Sequence, residues 1–134
     1  MINLENLCRH FEVGNQVVRA LDEVDLAINE KEYVSIMGVS GSGKSTLLNI
    51  LGLLDTPTSG DYVLSGINTS KMNDDEMAHI RSTKIGFVFQ SFHLIPRLTA
   101  AENIEMPMVL SGLNPKERQE KVDNALARVN LTAP

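Results

Sequence analysis

Several things are scarce in this sequence, and each scarcity removes a class of protein. It has a single cysteine, Cys8, so it contains neither an internal disulfide nor a cysteine pair for zinc. Cys8 reads as a small buried apolar residue in a reducing compartment. Positive charge is in deficit: 12 lysines and arginines against 17 acidic residues leave a net charge of −5. That balance offers no footprint for nucleic acid and no polybasic membrane patch, so any anion site must be local. The apolar runs fall well short of the roughly 20 residues that a membrane-crossing helix needs, and no basic-then-apolar leader opens the chain. Low-complexity tracts are also missing. What remains is 134 residues, 43% of them hydrophobic, enough for one cored domain or a part of one.

Along the chain, strand-like and helix-like segments alternate. Residues 2–10 read as a strand, and Val24, Leu26 and Ile28 alternate with polar residues as in a half-exposed strand, the two forming an antiparallel edge. Residues 33–37 are short, apolar and end at glycine, which suits a strand buried on both faces. A helix follows over residues 44–54, then a turn cluster at residues 55–60, a strand at 62–64 and a helix over 74–83 capped by Asn73. Residues 85–89 read as a second short buried strand, stopping at Gln90. Beyond Pro96 the pattern turns purely helical. Thr99 and Glu102 fit a capping box, the helix they open should end by Gly112, and Asn114 with Pro115 starts another. The expected division is therefore an α/β part over residues 1–96 and a helical part over 97–134. LSGIN at Leu64 and LSGLN at Leu110 share nothing in their flanks, so the likeness is coincidental.

One loop stands out between the strand-like residues 33–37 and the helix after it. Gly38, Val39, Ser40, Gly41, Ser42, Gly43, Lys44 and Ser45 match G-x-x-x-x-G-K-[ST], the phosphate-binding P-loop or Walker A motif. Main-chain amides wrap a polyphosphate only if the backbone comes close and turns through positive φ, which glycine permits. The helix that follows adds the positive end of its dipole. In this reading Lys44 reaches the β- and γ-phosphates, Ser45 offers its hydroxyl to the bridging magnesium, and Thr46 bonds on the α-phosphate side. A glycine-serine linker that happened to hold a lysine would not be flanked by buried-type segments. His10, His79 and His93 are scattered, show no metal spacing and no paired carboxylate, and read as surface or loop histidines.

The loop wording GVSGSGKST, together with IGFVFQSFHLIPRLTAAENIEMP, resembles the nucleotide-binding subunits of ABC transporters, and is most similar to the branch serving macrolide export and lipoprotein release. The resemblance runs from Ile2 to about Leu131. It implies an α/β P-loop NTPase of ABC ATPase type: an N-terminal antiparallel edge, the first part of a parallel core sheet, and the start of a helical subdomain. It implies ATP and Mg2+ as cofactors and an ATPase activity coupled to transport. The implied partners are a transmembrane permease subunit or domain and a second nucleotide-binding subunit. The implied location is cytoplasmic, on the inner face of the cell membrane. Gln90 then corresponds to the Q-loop glutamine, a ligand of magnesium and of the attacking water that acts in catalysis with Lys44, and Phe11 to the aromatic that stacks on adenine. Phe92, Leu94 and Ile95 would lie on a loop facing the permease.

The same resemblance makes missing parts conspicuous. The family's LSGGQ signature, its strand bearing the metal-binding Asp and catalytic Glu, and its switch histidine do not occur in these residues. Leu110–Asn114 shares only the signature's first three letters and is expected to be an interhelical turn. The expectation is the first part of a longer ATPase, with the 134-residue chain inactive alone. The alternatives are a nucleotide-binding module incapable of hydrolysis and another P-loop enzyme such as a GTPase or small-molecule kinase. The latter fits poorly with the antiparallel edge before the loop and the lack of an N-K-x-D guanine motif. An ABC ATPase of DNA repair would share the loop and Gln90 but run into a long coiled coil.

Overall fold

The structure, a computed structural model, describes residues 1–132. Chain contacts divide it into two units, Met1–Phe87 and the remainder from Val88. The last two residues of the expected helical part, 133 and 134, lie outside the described residues.

The first unit is built on a hairpin. Strand β1 (Ile2–Val13) and strand β2 (Gln16–Ile28) are both amphipathic and meet at a tight turn, so they pair antiparallel with little loop entropy to overcome. Strand β3 (Ser59–Leu64) pairs antiparallel with the other edge of β1, and the two-residue β4 (Ile67–Asn68) closes the order β2-β1-β3-β4. The expected antiparallel pairing of the first two strands is thus present, and the strand expected at Tyr62–Leu64 is the end of β3. Helix α1 (Lys44–Leu51) and helix α2 (Asp74–Lys84) supply the other wall of the core. Leu4, Leu7, Leu21 and Tyr62 of the sheet pack with Ile50, Leu53 and Met77.

Tyr62 anchors this core. Its ring is 1% exposed, and its hydroxyl donates to the Leu51 carbonyl at 2.7 Å. Burial pushes the Tyr62 phenol up to about 12, because the charged phenolate would lose its hydration there. A 3-10 turn over Thr69–Lys71 completes the surroundings, the buried Thr69 hydroxyl donating to the Tyr62 carbonyl at 3.0 Å. On the rim, the Arg9 guanidinium donates to the Asp55 carboxylate at 2.7 Å, and Arg81 donates to the Leu53 carbonyl.

Two segments depart from the sequence reading. Residues 33–37 and 85–89, expected as strands buried on both faces, are not strands. Tyr33 is 100% exposed and Met37 87%. Residues 33–37 join no ladder among the described residues, and a strand of the central kind is buried only when neighbours pair with both its edges. The described sheet is antiparallel throughout.

The second unit contains helix α3 (Ala100–Leu110) and helix α4 (Pro115–Arg128). The Thr99 capping box is formed, with the Thr99 hydroxyl accepting from the Glu102 amide and Glu102 accepting from the Thr99 amide at 2.7 Å. That backbone bond holds the Glu102 carboxyl below its usual range. Asn114 caps α4 with Pro115 in the first turn, as the sequence suggested. Residues 111–112 form the turn between the helices, and residues 65–66 the turn between β3 and β4, so the two LSG stretches share only turn chemistry. The Arg118 guanidinium ties the helices, donating to Glu105 at 2.9 Å and to the Leu113 carbonyl at 2.8 Å.

Candidate functional site

Helix α1 begins differently from the other α-helices described. Helices α2, α3 and α4 each start with an Asn or Thr side chain capping an amide and with acidic residues in the first turn. Helix α1 has neither: its N-cap is Gly43, no side chain bonds its first amides, and no acid sits in its first turn. Its leading amides and its positive dipole end are therefore offered to an anion from outside.

The backbone before α1 explains why glycine is required. Gly43 has φ +93, and a Cβ there would lie 2.5 Å from the Ala20 carbonyl oxygen of β2. Any side chain would push the loop off the strand. Gly41 also has positive φ, +77, which the turn requires. Gly38 differs from the sequence expectation: its φ is not positive, and its need is for space, since a Cβ would lie 2.5 Å from the Ser42 hydroxyl.

Lys44 is folded back over this loop. Its ammonium donates to the carbonyls of Gly38 at 2.5 Å and Val39 at 2.7 Å, with the Ser42 hydroxyl at 3.4 Å. The cation is thus held at the rim of the amide cradle by acceptors that a phosphate oxygen could replace. The cleft has a volume of about 600 Å³ and is lined by Ser40 through Thr46 together with Val18, Arg19 and Ala20 of β2. That size falls within the range of small-ligand pockets, roughly 300–1,000 Å³. Ser45 and Thr46, in the first turn of α1, present their side of the helix to it. The structure therefore brings Ser40, Gly41, Ser42, Gly43, Lys44, Ser45 and Thr46 together around one opening.

Phe11 and Gln90 are not in that lining. Phe11 sits in β1 directly across from Val18, a cleft residue, and so lies one cross-strand step away. The Arg9 guanidinium covers one face of its ring, 4.3 Å from the centroid. Gln90 belongs to the second unit and is exposed at a bend, not at the end of a buried strand. Nearby, Phe92 is 90% and Leu94 65% exposed.

Some contributors were not read from the sequence. Val18, Arg19 and Ala20 form the cleft wall opposite the loop, and only the folding of the hairpin against α1 places them there. Asn103 of α3 braces the 95–99 loop, accepting from the Ile95 amide at 2.8 Å and donating to the Thr99 carbonyl at 2.9 Å. A buried-spaced asparagine inside a helical pattern was the available sign. His10 also departs from the reading of a solitary histidine, since its Nε2 lies 3.3 Å from the Asp22 carboxylate.

Comparison with known proteins identifies the family. The family model for ABC transporters matches residues 21–133. The ABC transporter ATP-binding protein YknY of Bacillus subtilis (strain 168) is 51% identical over 131 residues, covering 98% of this chain and 57% of its own length. The macrolide export ATP-binding/permease protein MacB 1 of Yersinia pestis bv. Antiqua (strain Antiqua) is 45% identical over 98% of this chain and 20% of its own. Among solved structures, the ATP-binding cassette MJ0796, dimeric and bound to ADP and Pi, has a TM-score of 0.85 and 46% identity over 95% of this chain and 56% of that one. The chain thus spans little more than half of YknY and of MJ0796. With its fold shared with an ABC cassette and the family model covering most of its residues, this chain belongs to the ABC transporter family of ATP-binding proteins.

Proposed function

We propose that the cleft at the start of α1 binds the phosphates of ATP, and that the protein is the ATP-binding subunit of an ABC transporter. The observation that carries this reading is the uncapped, acid-free N-terminus of α1 behind a glycine loop, with Lys44 poised on the loop carbonyls. On binding, the ammonium exchanges those carbonyls for β- and γ-phosphate oxygens, and the charge-assisted bonds are stronger than the neutral-acceptor bonds they replace. Backbone amides of Gly41 through Ser45 hold the remaining oxygens without reorganising. The Ser45 hydroxyl is a hard oxygen donor in the first turn of the helix, and with phosphate oxygens it suits Mg2+. The ion when bound would neutralise phosphate charge; Gln90 would complete its shell and address the attacking water.

Phe11 supplies the adenine contact through whichever ring face Arg9 leaves available. The exposed Phe92 and Leu94 offer apolar surface to a membrane-embedded permease at the inner face of the cell membrane, and a second copy completes the γ-phosphate site. MJ0796 is dimeric in its solved form, and MacB 1 is described as joining ATP-binding and permease functions in one protein. No helix among the described residues is long and apolar enough to cross a membrane. The runner-up, binding without hydrolysis, is what the 134-residue chain should show alone, because no carboxylate among the described residues lines the cleft to activate water and general-base catalysis contributes roughly 10²–10⁴ in rate.

The test is titration of the chain with a fluorescent ATP analogue. Lys44→Ala should lower affinity at least about tenfold with an unchanged circular dichroism spectrum, the loss of a charge-assisted contact. Phe11→Ala should cost about 1 kcal/mol for ATP and nothing for pyrophosphate. Equal affinity of the Lys44 variant and the wild type would remove the phosphate assignment.

A further inference from the structure

Away from the cleft, the hairpin holds a second cluster of ligating groups. The Cys8 thiol, the His10 imidazole and the Asp22 carboxylate place one donor atom each within 4.8 Å of one another, the one such grouping found among the described residues. We infer that these three side chains form a binding site for a single thiophilic divalent ion of the zinc class.

The backbone builds this arrangement. Cys8 and His10 are two apart on β1 and so share a face of the strand. The pairing of β1 with β2 shifts register between Leu7 and Arg9, where Leu7 faces Val24 but Arg9 faces Leu21. Two residues of β2, Asp22 and Glu23, therefore stand opposite the single Cys8, which is a β-bulge. Glu23 takes φ +48 there, and its amide donates to the Cys8 sulfur at 3.2 Å. A bulge re-aims a side chain, and here it brings the Asp22 carboxylate to 3.3 Å from His10 Nε2 and 3.9 Å from Cys8 Sγ.

The spacing and donor types suit zinc. Bonds of about 2.0–2.3 Å to nitrogen, oxygen and sulfur in tetrahedral geometry put neighbouring donor atoms roughly 3.4–3.6 Å apart. The Asp22 separations of 3.3 Å and 3.9 Å bracket that edge length, and all three donors lie within 4.8 Å of one another. One thiolate, one imidazole and one carboxylate form a mixed soft-to-hard set that magnesium and calcium do not favour. Each group is also prepared for the role. The Glu23 amide already bonds the sulfur and fixes its position. Asp22 divides its oxygens, Oδ1 toward Cys8 and His10 and Oδ2 toward Arg19 at 3.6 Å, so the guanidinium neutralises the far side without blocking the near one. Cys8 is buried while Asp22 is half exposed, which gives a floor and an entrance. Binding forms the sulfur–metal bond and releases the thiol proton to solvent. The ion would fasten β1 to β2 two residues from Ala20, the residue against which Gly43 of the loop packs.

Cobalt(II) and zinc(II) titrations of the 134-residue chain test the site. Cobalt should give one equivalent of binding with a thiolate-to-cobalt charge-transfer band, and zinc should displace it. Cys8→Ser should abolish the band. His10→Gln and Asp22→Asn, at partly exposed positions that leave the core intact, should each weaken zinc binding at least about tenfold, a floor set by what the loss of even an outer-shell partner costs. His79→Ala, on the exposed face of α2, should bind as the wild type does. Zinc should raise the melting temperature of the wild type and not of His10→Gln, since only a ligand of the folded state stabilises it by mass action. Absence of the band, or a His10→Gln variant binding within twofold of the wild type, would overturn the site and leave at most a thiol binding metal unaided. Both readouts are independent of nucleotide, so failure here leaves the cleft assignment untouched.

Discussion

Residues 33–37 are richer in apolar residues than strand β1, yet it is β1 that is buried. Leu4 and Leu7 of β1 are 1% and 0% exposed, whereas Tyr33 and Met37 stand almost wholly in solvent. The difference is not in strand propensity. Strand β1 meets its first partner across a two-residue turn and its second at β3, while residues 33–37 find no ladder among the described residues. A hairpin closes locally at small entropic cost; a central strand of parallel type depends on neighbours brought in by long crossovers. Burial in this protein therefore follows pairing, and apolar character alone does not produce it.

Three experiments on the 134-residue chain probe that contrast, and the largest effect belongs to the paired region. Leu7→Ala should destabilise the first unit by about 2–5 kcal/mol, the usual range for a buried leucine, while Met37→Ser should change it by less than about 0.5 kcal/mol. Urea unfolding of both variants checks this, and comparable losses would mean that residues 33–37 are packed after all.

Alkaline titration should give the next effect. The folded-state value for Tyr62, about 12, lies above the ordinary value of 10.0. The neutral phenol therefore contributes stability that is complete below pH 10 and is lost as pH rises through 12. Two units correspond to roughly 2–3 kcal/mol. Tyr62→Phe should flatten the stability profile between those values, and a profile as steep as the wild type's would place the titrating group elsewhere.

The smallest effect is expected at a helix cap. Thr99→Ala should destabilise α3 by about 1 kcal/mol, and the depressed titration of Glu102 should move part of the way back toward the ordinary range, because the hydroxyl contact is lost while the backbone amide at position 99, the larger cause, still donates to the carboxyl. In the wild type that depression contributes stability above the ordinary carboxylate value and loses it as pH falls below. Proton-detected titration of Glu102 in both forms reads the difference, and an unchanged midpoint would dissociate the cap from the carboxyl.

Local chemistry was open to reading from the residues. The caps at Asn73, Thr99 and Asn114, the stop by Gly112 and the glycine loop before Lys44 each depend on residues a few positions apart, and each is found where the pattern put it, whereas the second strand, read only from Val24, begins at Gln16 across a turn the pattern did not mark. Those features rest on backbone φ preferences and side-chain-to-amide bonds that act within one turn, so a linear reading captures them. Tertiary structure alone decided the remainder. It placed Val18, Arg19 and Ala20 opposite the loop, left residues 33–37 without a ladder, and, through the register shifts of β2 on either side of Arg9, turned Asp22 toward Cys8 and His10. Strand register is the physical reason: side chains alternate faces, so a single inserted residue re-aims its neighbours, and which residue is inserted is settled only when the two strands pack against the core.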